Sequence, residues 1–411
     1  MARSTTTSHA TTLEIPHESL ARLFLRFLRF GALAWGGPVA QIAMLRHAFV
    51  DEDRWVTSEH FNRVLALYQV LPGPEAHELC VYFGMLARGR IGGVLAGLGF
   101  MLPGFLLMFA LSWAYVSLGL DVRGDLAALF AAIQAAVVAL IVRAVHRIGS
   151  HVLLDGWAWA IAVTSTLGHL AGVHFSIVLL TGGACYVLAR RWPIASAALL
   201  AVATLAVIGW VVSRPGAVLK PQDLPAITMN PVSLATLFWA GLKTGSLTFG
   251  GAYTAIPFLQ HDAVNRGAWM SDAAFMDGIA LAGLLPAPLI IFATFVGYVG
   301  GGPLGAVVLT TGIFLPAFAL TLIAHEPMEK FVHNPRVRSF LDGVTAAVVG
   351  LIAGTAVSLV YRTLHSIPVA IVFIVALVAL FRWNHRWLIP VVIAGAALFG
   401  LARTFLHTVS T

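Results

Sequence analysis

Apolar runs long enough to cross about 30 Å of hydrocarbon recur along almost the whole chain. They fall near residues 23–50, 61–86, 91–118, 124–146, 153–172, 174–190 and 194–212. After a polar, proline-containing stretch from Arg214 to Pro231 they resume near 233–259, 274–298, 302–324, 339–361, 366–381 and 387–407. That pattern predicts about thirteen transmembrane or re-entrant segments. All are expected to be helical, because an open sheet edge cannot be satisfied in lipid.

Composition agrees with this pattern. Of the 411 residues 59% are hydrophobic and only 10% charged, with a mean hydropathy of +0.88, where a soluble surface carries about 25% charge. The expected class is an all-α polytopic membrane protein. Residues 1–19 are rich in Ser, Thr and His without an apolar core, so they read as a disordered tail and not a cleavable signal. The excess of 25 Lys and Arg over 18 Asp and Glu gives +7. These charges sit at segment ends and form no cluster, which argues for loop anchoring and against nucleic acid. Cys80 and Cys185 are isolated in apolar stretches, so no metal, cofactor or disulfide chemistry is expected. No phosphate loop, G-x-S-x-G or H-E-x-x-H motif is present, and no catalytic residue is assigned.

Comparing the chain with itself gives the architecture. Gly31, Gly36, Gly37, Trp55, Phe61, Leu71, Pro72 and Pro74 fall, at a shift of 214, on Gly245, Gly250, Gly251, Trp269, Phe275, Leu285, Pro286 and Pro288. Gly84 and Pro103 match Gly297 and Pro316 at 213, and the run Ala135 to Ile141 matches Ala346 to Ile352 at 211. The segment at 194–212 has no partner. The predicted plan is a first six-segment repeat over 20–192, a linker span and loop over 193–231, and a second repeat over 232–411. If all six segments cross, seven crossings separate matching residues and the halves are inverted. Alternate assignment of the loops puts sixteen Lys and Arg residues, Arg143 and Arg147 among them, on the side of the N-terminus and eight on the other. The N-terminus is then cytoplasmic.

Two pairs of matching motifs could hold a substrate. Gly36-Gly37-Pro38 and Gly250-Gly251, the latter followed by Ala252 and Tyr253, weaken the first long segment of each half and expose backbone groups at mid-membrane. Such a break can present a half-helix N-terminus to an anion, or it can simply let helices pack closely. Pro72-Gly73-Pro74 and Pro286-Ala287-Pro288 interrupt the second segments, since two prolines one residue apart cannot lie in a continuous helix. The alternative is a plain kink. Gln41, Gln69, Gln260, Tyr253 and Lys243 stand beside these breaks as candidate anion ligands. Snorkelling to the interface is the competing reading for Lys243, and still more for Arg26 and Arg29. Glu75, His77 and Glu78 follow the first proline pair. They are either caps of a helix start or titratable groups for proton coupling. The second half has Leu289, Ile290 and Ile291 there instead.

The stretch Phe30-Gly31, Trp35 to Pro38, Arg46, Trp55, Phe61, Gln69 to Pro74, Glu78, Gly84, Gly89 and Pro103 resembles the chromate ion transporter family in its long, two-domain form. Phe249 to Gly251, Pro257, Gln260, Trp269, Phe275, Phe295 to Tyr298, Phe314 to Pro316 and Gly343 to Ile352 extend the resemblance through the second half. It implies two homologous domains of opposed orientation in the bacterial inner membrane. It also implies export of chromate, driven by the proton motive force, with chromate resistance as the outcome. Sulfate, an isosteric dianion, is the natural competitor and the alternative substrate. A channel or an oxyanion sensor is the rival from another class, and the resemblance leaves a homodimer open. Pro286-Ala287-Pro288 and Glu75-Ala76-His77 depart from the common family pattern. An acid beside an anion site fits proton coupling better than static binding.

Overall fold

The computed structural model describes residues 18–410 except 36, 119–126, 214–231, 250, 333, 384 and 386. Gly36, Gly250, nearly all of the expected tail and the loop after residue 213 therefore lie outside the described residues. Within them the chain is helical, with no strand and one isolated backbone bridge. Helices α1 (Leu20–Ala32), α2 (Gly37–Arg46), α3 (Ser58–Val70), α4 (Glu75–Ser117), α5 (Ala127–Val152), α6 (Gly156–Leu170), α7 (Phe175–Arg191) and α8 (Pro193–Ser213) come first. They are followed by α9 (Leu234–Ser246), α10 (Ala255–Gln260), α11 (Asp272–Gly283), α12 (Phe292–Val332), α13 (Pro335–Thr363), α14 (Ile367–Arg382) and α15 (Leu388–Ser410). Among the described residues four apolar helical stretches are long enough to cross a membrane: Glu75–Ser117, Ala128–Val152, Leu289–His325 and Pro335–Thr363.

Two of these stretches are hairpins. A straight helix of 43 residues would reach about 65 Å, twice the thickness of the hydrocarbon. In α4 the backbone instead reverses at Arg88 (φ −143°, ψ 31°) and Gly89 (φ 63°, ψ −160°). Gly84 then lies against the Gly92 carbonyl and the Ala96 side chain. In a straight helix Ala96 would stand about 18 Å further along the axis. Only glycine adopts the Gly89 conformation without strain. The same reversal occurs in α12 at Gly301 and Gly302, where Gly297 meets the Gly305 carbonyl. The paired segments expected at 61–86 and 91–118, and at 274–298 and 302–324, thus meet at these turns.

Matching residues build matching contacts in the two halves. Helix α1 crosses the second arm of α4 with Gly31 against the backbone of Phe100, and α9 crosses the second arm of α12 with Gly245 against the backbone of Ile313. At both crossings a Cβ placed on the glycine would stand 2.2 Å from a carbonyl oxygen. Without water to drive helices together, close backbone approach of this kind is what holds them. Six-residue π-helical stretches follow at His47–Glu52 and His261–Arg266.

Helices α5 and α13 pack against each other at the centre, and each is surrounded mainly by helices of the other half. Helix α13 lies on α6 and α7, whereas α5 lies on α14 and α15. The matching runs Ala135 to Ile141 and Ala346 to Ile352 are buried throughout. Glycines of α13 let neighbouring helices approach closely, with Gly350 on the Ala162 carbonyl and Gly343 on the Gly182 carbonyl.

Substituting Gly245→Val should lower the stability of the detergent-solubilised protein by about 1–3 kcal/mol or more, as overpacking does. Gly209→Ala, where an added Cβ meets open space, should leave it unchanged. Thermal unfolding of the two variants followed by fluorescence checks this, and equal midpoints would contradict the assigned contact.

Candidate functional site

The site lies where the breaks meet. Helix α1 ends at Ala32, its end groups tied by bonds from the Leu33 N–H to the carbonyls of Arg29 and Phe30, and α2 restarts at Gly37 with φ +76°. The second half repeats this. Helix α9 ends at Ser246, and after Gly251 (φ +110°) the chain restarts as a single 3-10 turn, Ala252–Thr254, that leads into α10. Gly37 faces Tyr253, so that a methyl group at Gly37 would stand 4.0 Å from the tyrosine hydroxyl.

The second segments break as the proline pairs require. Between α3 and α4 the chain is extended through Leu71 and Pro74. Pro72 bridges Phe249 in antiparallel fashion, and the Gly73 N–H donates to the Thr248 carbonyl at 2.8 Å. The matching break of the second half is different. Ala287 N–H turns back to the Leu285 carbonyl (2.9 Å), and Pro288 leads into a 3-10 turn, Leu289–Ile291, that packs on the Ala252–Thr254 turn. The carbonyl of Ala34, which matches Thr248, accepts instead from Gln41 Nε2 at 2.9 Å. Gln41 therefore satisfies a backbone group that its own break leaves free.

Glu75, His77 and Glu78 open α4 from inside the protein. His77 and Glu78 are fully buried. Both ring nitrogens of His77 and both carboxyl oxygens of Glu78 lack a partner at hydrogen-bonding geometry among the described residues. His77 sits between the rings of Phe314 and Phe318, with centroids 4.9 and 4.7 Å away. Glu78 lies under the break: a Cβ on Gly73, whose φ is +156°, would stand 2.7 Å from the Glu78 carboxyl carbon. A glycine between the two prolines is thus what gives that carboxyl its room. Buried polar groups without partners are costly unless they work.

Three of the sequence-predicted ligands fall outside this arrangement. Lys243 is closed off by Asp262, with Nζ to Oδ1 at 2.6 Å, and it stands over the Phe175 ring at 5.3 Å. It is a neutralised pair and not a free cation, because an ammonium in a desolvated place binds the first carboxylate within reach. Gln69 is exposed on α3, away from the buried face formed by Phe61, Val64 and Tyr68. Gln260 is engaged with Asp272 at 2.9 Å. Arg26 pairs with Glu18 and Asp53 and covers the Trp55 ring, so it anchors the end of the bundle. Gly37, Pro38, Tyr253, Pro72, Gly73, Pro74, Pro286 and Pro288 do stand at the breaks, beside Gln41.

Other polar groups were not singled out from the sequence. Arg143 and Arg147 both lie within α5, Arg147 just beyond the apolar run that ends near residue 146, and both are partly buried. The charges of both act on Tyr253, and that of Arg147 also acts on Glu75. Neither forms an ion pair within 4.0 Å among the described residues. Asp277 in α11 is fully buried and accepts from Tyr115 Oη (2.8 Å) and Gln134 Nε2 (2.7 Å). Its signal was a lone acid inside an apolar helix. Tyr68 bonds His325 Nδ1 at 3.1 Å, linking α3 to α12.

The chromate transporter family model matches residues 21–219 and 235–401. The chain is 53% identical over 403 residues to a chromate transport protein of Pseudomonas aeruginosa, covering 97% of this chain and 96% of that one. It is 30% identical over 417 residues to a chromate transport protein of Cupriavidus metallidurans, covering 98% of each. A probable chromate transport protein of Synechococcus elongatus is 30% identical over 394 residues, 94% of this chain and 96% of that one. No solved structure matches.

Gly73→Ala should abolish flux while the protein still reaches the membrane, because the added methyl displaces Glu78 and strains the break. Gly89→Ala strains the backbone equally but meets open space, and it should lose stability without losing the site. Transport per folded molecule, with folded protein counted by size-exclusion fluorescence, separates the two. Full transport by Gly73→Ala would show that the Glu78 carboxyl does not need its place.

Proposed function

Because the chain belongs to the chromate transporter family, and is a transport protein and not an enzyme, we propose that it exports chromate from the cytoplasm by alternating access. The two repeats, 20–192 and 232–411, are taken as inverted halves, with the N-terminus on the cytoplasmic side. The observation that carries the reading is the meeting of the breaks of both halves, with Pro72 against Phe249 and Gly37 facing Tyr253. Interrupted segments that meet in this way expose backbone N–H groups and helix starts to an anion at depth, where a continuous helix would offer none.

Protons supply the driving force in this reading, through Glu75, His77 and Glu78. The support is physical. A carboxyl and an imidazole that are fully buried, without a partner at hydrogen-bonding geometry among the described residues, sit at the foot of the same break that would hold the substrate. A change of protonation there alters both the charge beside the anion and the packing under Gly73. Chromate resistance follows from removal of the ion from the cytoplasm. Sulfate, of the same shape and charge, is expected to compete.

Inside-out vesicles should accumulate labelled chromate in a saturable manner that responds to an imposed pH gradient and is inhibited by sulfate. Glu78→Gln should remove the response to the gradient. Passive flux indifferent to Glu75, His77 and Glu78 would make the protein a channel, and accumulation of sulfate alone would change the substrate.

A further inference from the structure

Two arginines within a membrane-embedded helix require an account of their charge. A guanidinium stays protonated under any condition a protein meets, so Arg143 and Arg147 carry two positive charges into α5 whatever surrounds them. Elsewhere in the bundle such charges are answered by protein. Lys243 has Asp262, Arg26 has Glu18 and Asp53, and Arg362 has Asp272. Arg143 and Arg147 have no carboxylate within 4.0 Å among the described residues.

Their placement is specific. Four residues apart, they lie one turn from each other on the same face of α5, with about 6 Å between their Cβ atoms. That separation suits two guanidinium forks that close on one tetrahedral oxyanion. Helix α13 packs on both α5 and the turn Ala252–Thr254, so the pair shares a neighbour with Tyr253. That tyrosine is 9% exposed, stands at the break of the second half opposite Gly37, where α2 begins, and lies within reach of both charges. The positive end of α2 therefore points to the same place. The pair has no counterpart in the other half, where the matching positions of α13 are Gly354, packed on His169, and Ser358. Simple snorkelling would carry the side chains to an interface and away from a buried tyrosine at the meeting of the breaks.

We propose that Arg143 and Arg147, with the Tyr253 hydroxyl and the first turn of α2, form the binding site for a tetrahedral dianion. Glu75 is the competing carboxylate for Arg147. The site rests on the transport reading above only for the identity of its occupant. Two positive charges match a divalent oxyanion, and the phenol adds one donor to a third oxygen. Ionised Glu75 draws on Arg147 and weakens the site, so its removal strengthens binding.

Calorimetric titration of the purified full-length protein with chromate at a pH where the ion is a dianion tests this, beside chromate uptake by vesicles. Arg143→Gln and Arg147→Gln should each weaken binding about tenfold or more, in keeping with the loss of charge-assisted hydrogen bonds. Arg147→Lys should recover part of the loss. Glu75→Gln should bind more tightly than the wild type, a change of sign that general damage to the fold would not produce. Monodisperse elution identifies the variants that fold. Equal affinity for chromate in the wild type and both glutamine variants overturns the site, as does absence of binding to the wild type. Binding that follows the expected order in a protein whose vesicles accumulate no chromate would overturn the transport reading and leave the site standing.

Discussion

A peptide group inside a membrane has no water to turn to, and every interruption of a helix there must find its own partners. The bond from the Gly73 N–H to the Thr248 carbonyl is the clearest case, since it ties the second break of one half to the first break of the other. Much of the surrounding structure depends on it. The bridge fixes Pro72 on Phe249, which sets the start of α4 and brings Glu75, His77 and Glu78 in beneath it. Gly73 takes a conformation available to glycine, and the space left by its absent side chain is filled by the Glu78 carboxyl.

The breaks stay together because the helices around them are held by backbone contact. Glycine crossings fix α1 on α4 and α9 on α12, and the alanine-rich centres of α5 and α13 let the two halves interpenetrate. A membrane protein gains little from segregating apolar surface, because the lipid is as apolar as a leucine. Many close van der Waals contacts must do that work.

Much of this was legible in the sequence because Gly and Pro act through the backbone, and a backbone constraint leaves a local trace. The reversals near Gly89 and Gly302, and the breaks at the two proline pairs, each announce themselves in a few consecutive residues. Side-chain partnership leaves no such trace. Lys243 lies within the apolar run 233–259 and Arg147 just past the end of the run 124–146, and neither position tells in sequence what answers its charge. One is answered by Asp262, nineteen residues on in the chain, while the other has no carboxylate within 4.0 Å among the described residues. Helix α5 ends at Val152, beyond the end of its apolar run near residue 146. Those last turns carry His146, Arg147 and His151 and still pack on the protein, His146 against the Phe381 ring of α14 and Gly149 beside Val349 of α13. Assignment by hydropathy therefore left Arg147 outside a segment that the helix in fact carries on through.

The two seams between the halves are joined in unlike ways. Parting Pro72 from Phe249 would strip the Gly73 N–H and the Thr248 carbonyl of their partners together. At the corresponding place across the molecule, Ala34 already has Gln41 and Ala287 already has Leu285. A structure whose helices match closely is therefore one-sided in its seams, with a backbone hydrogen bond across one and a glutamine side chain closing the other on itself.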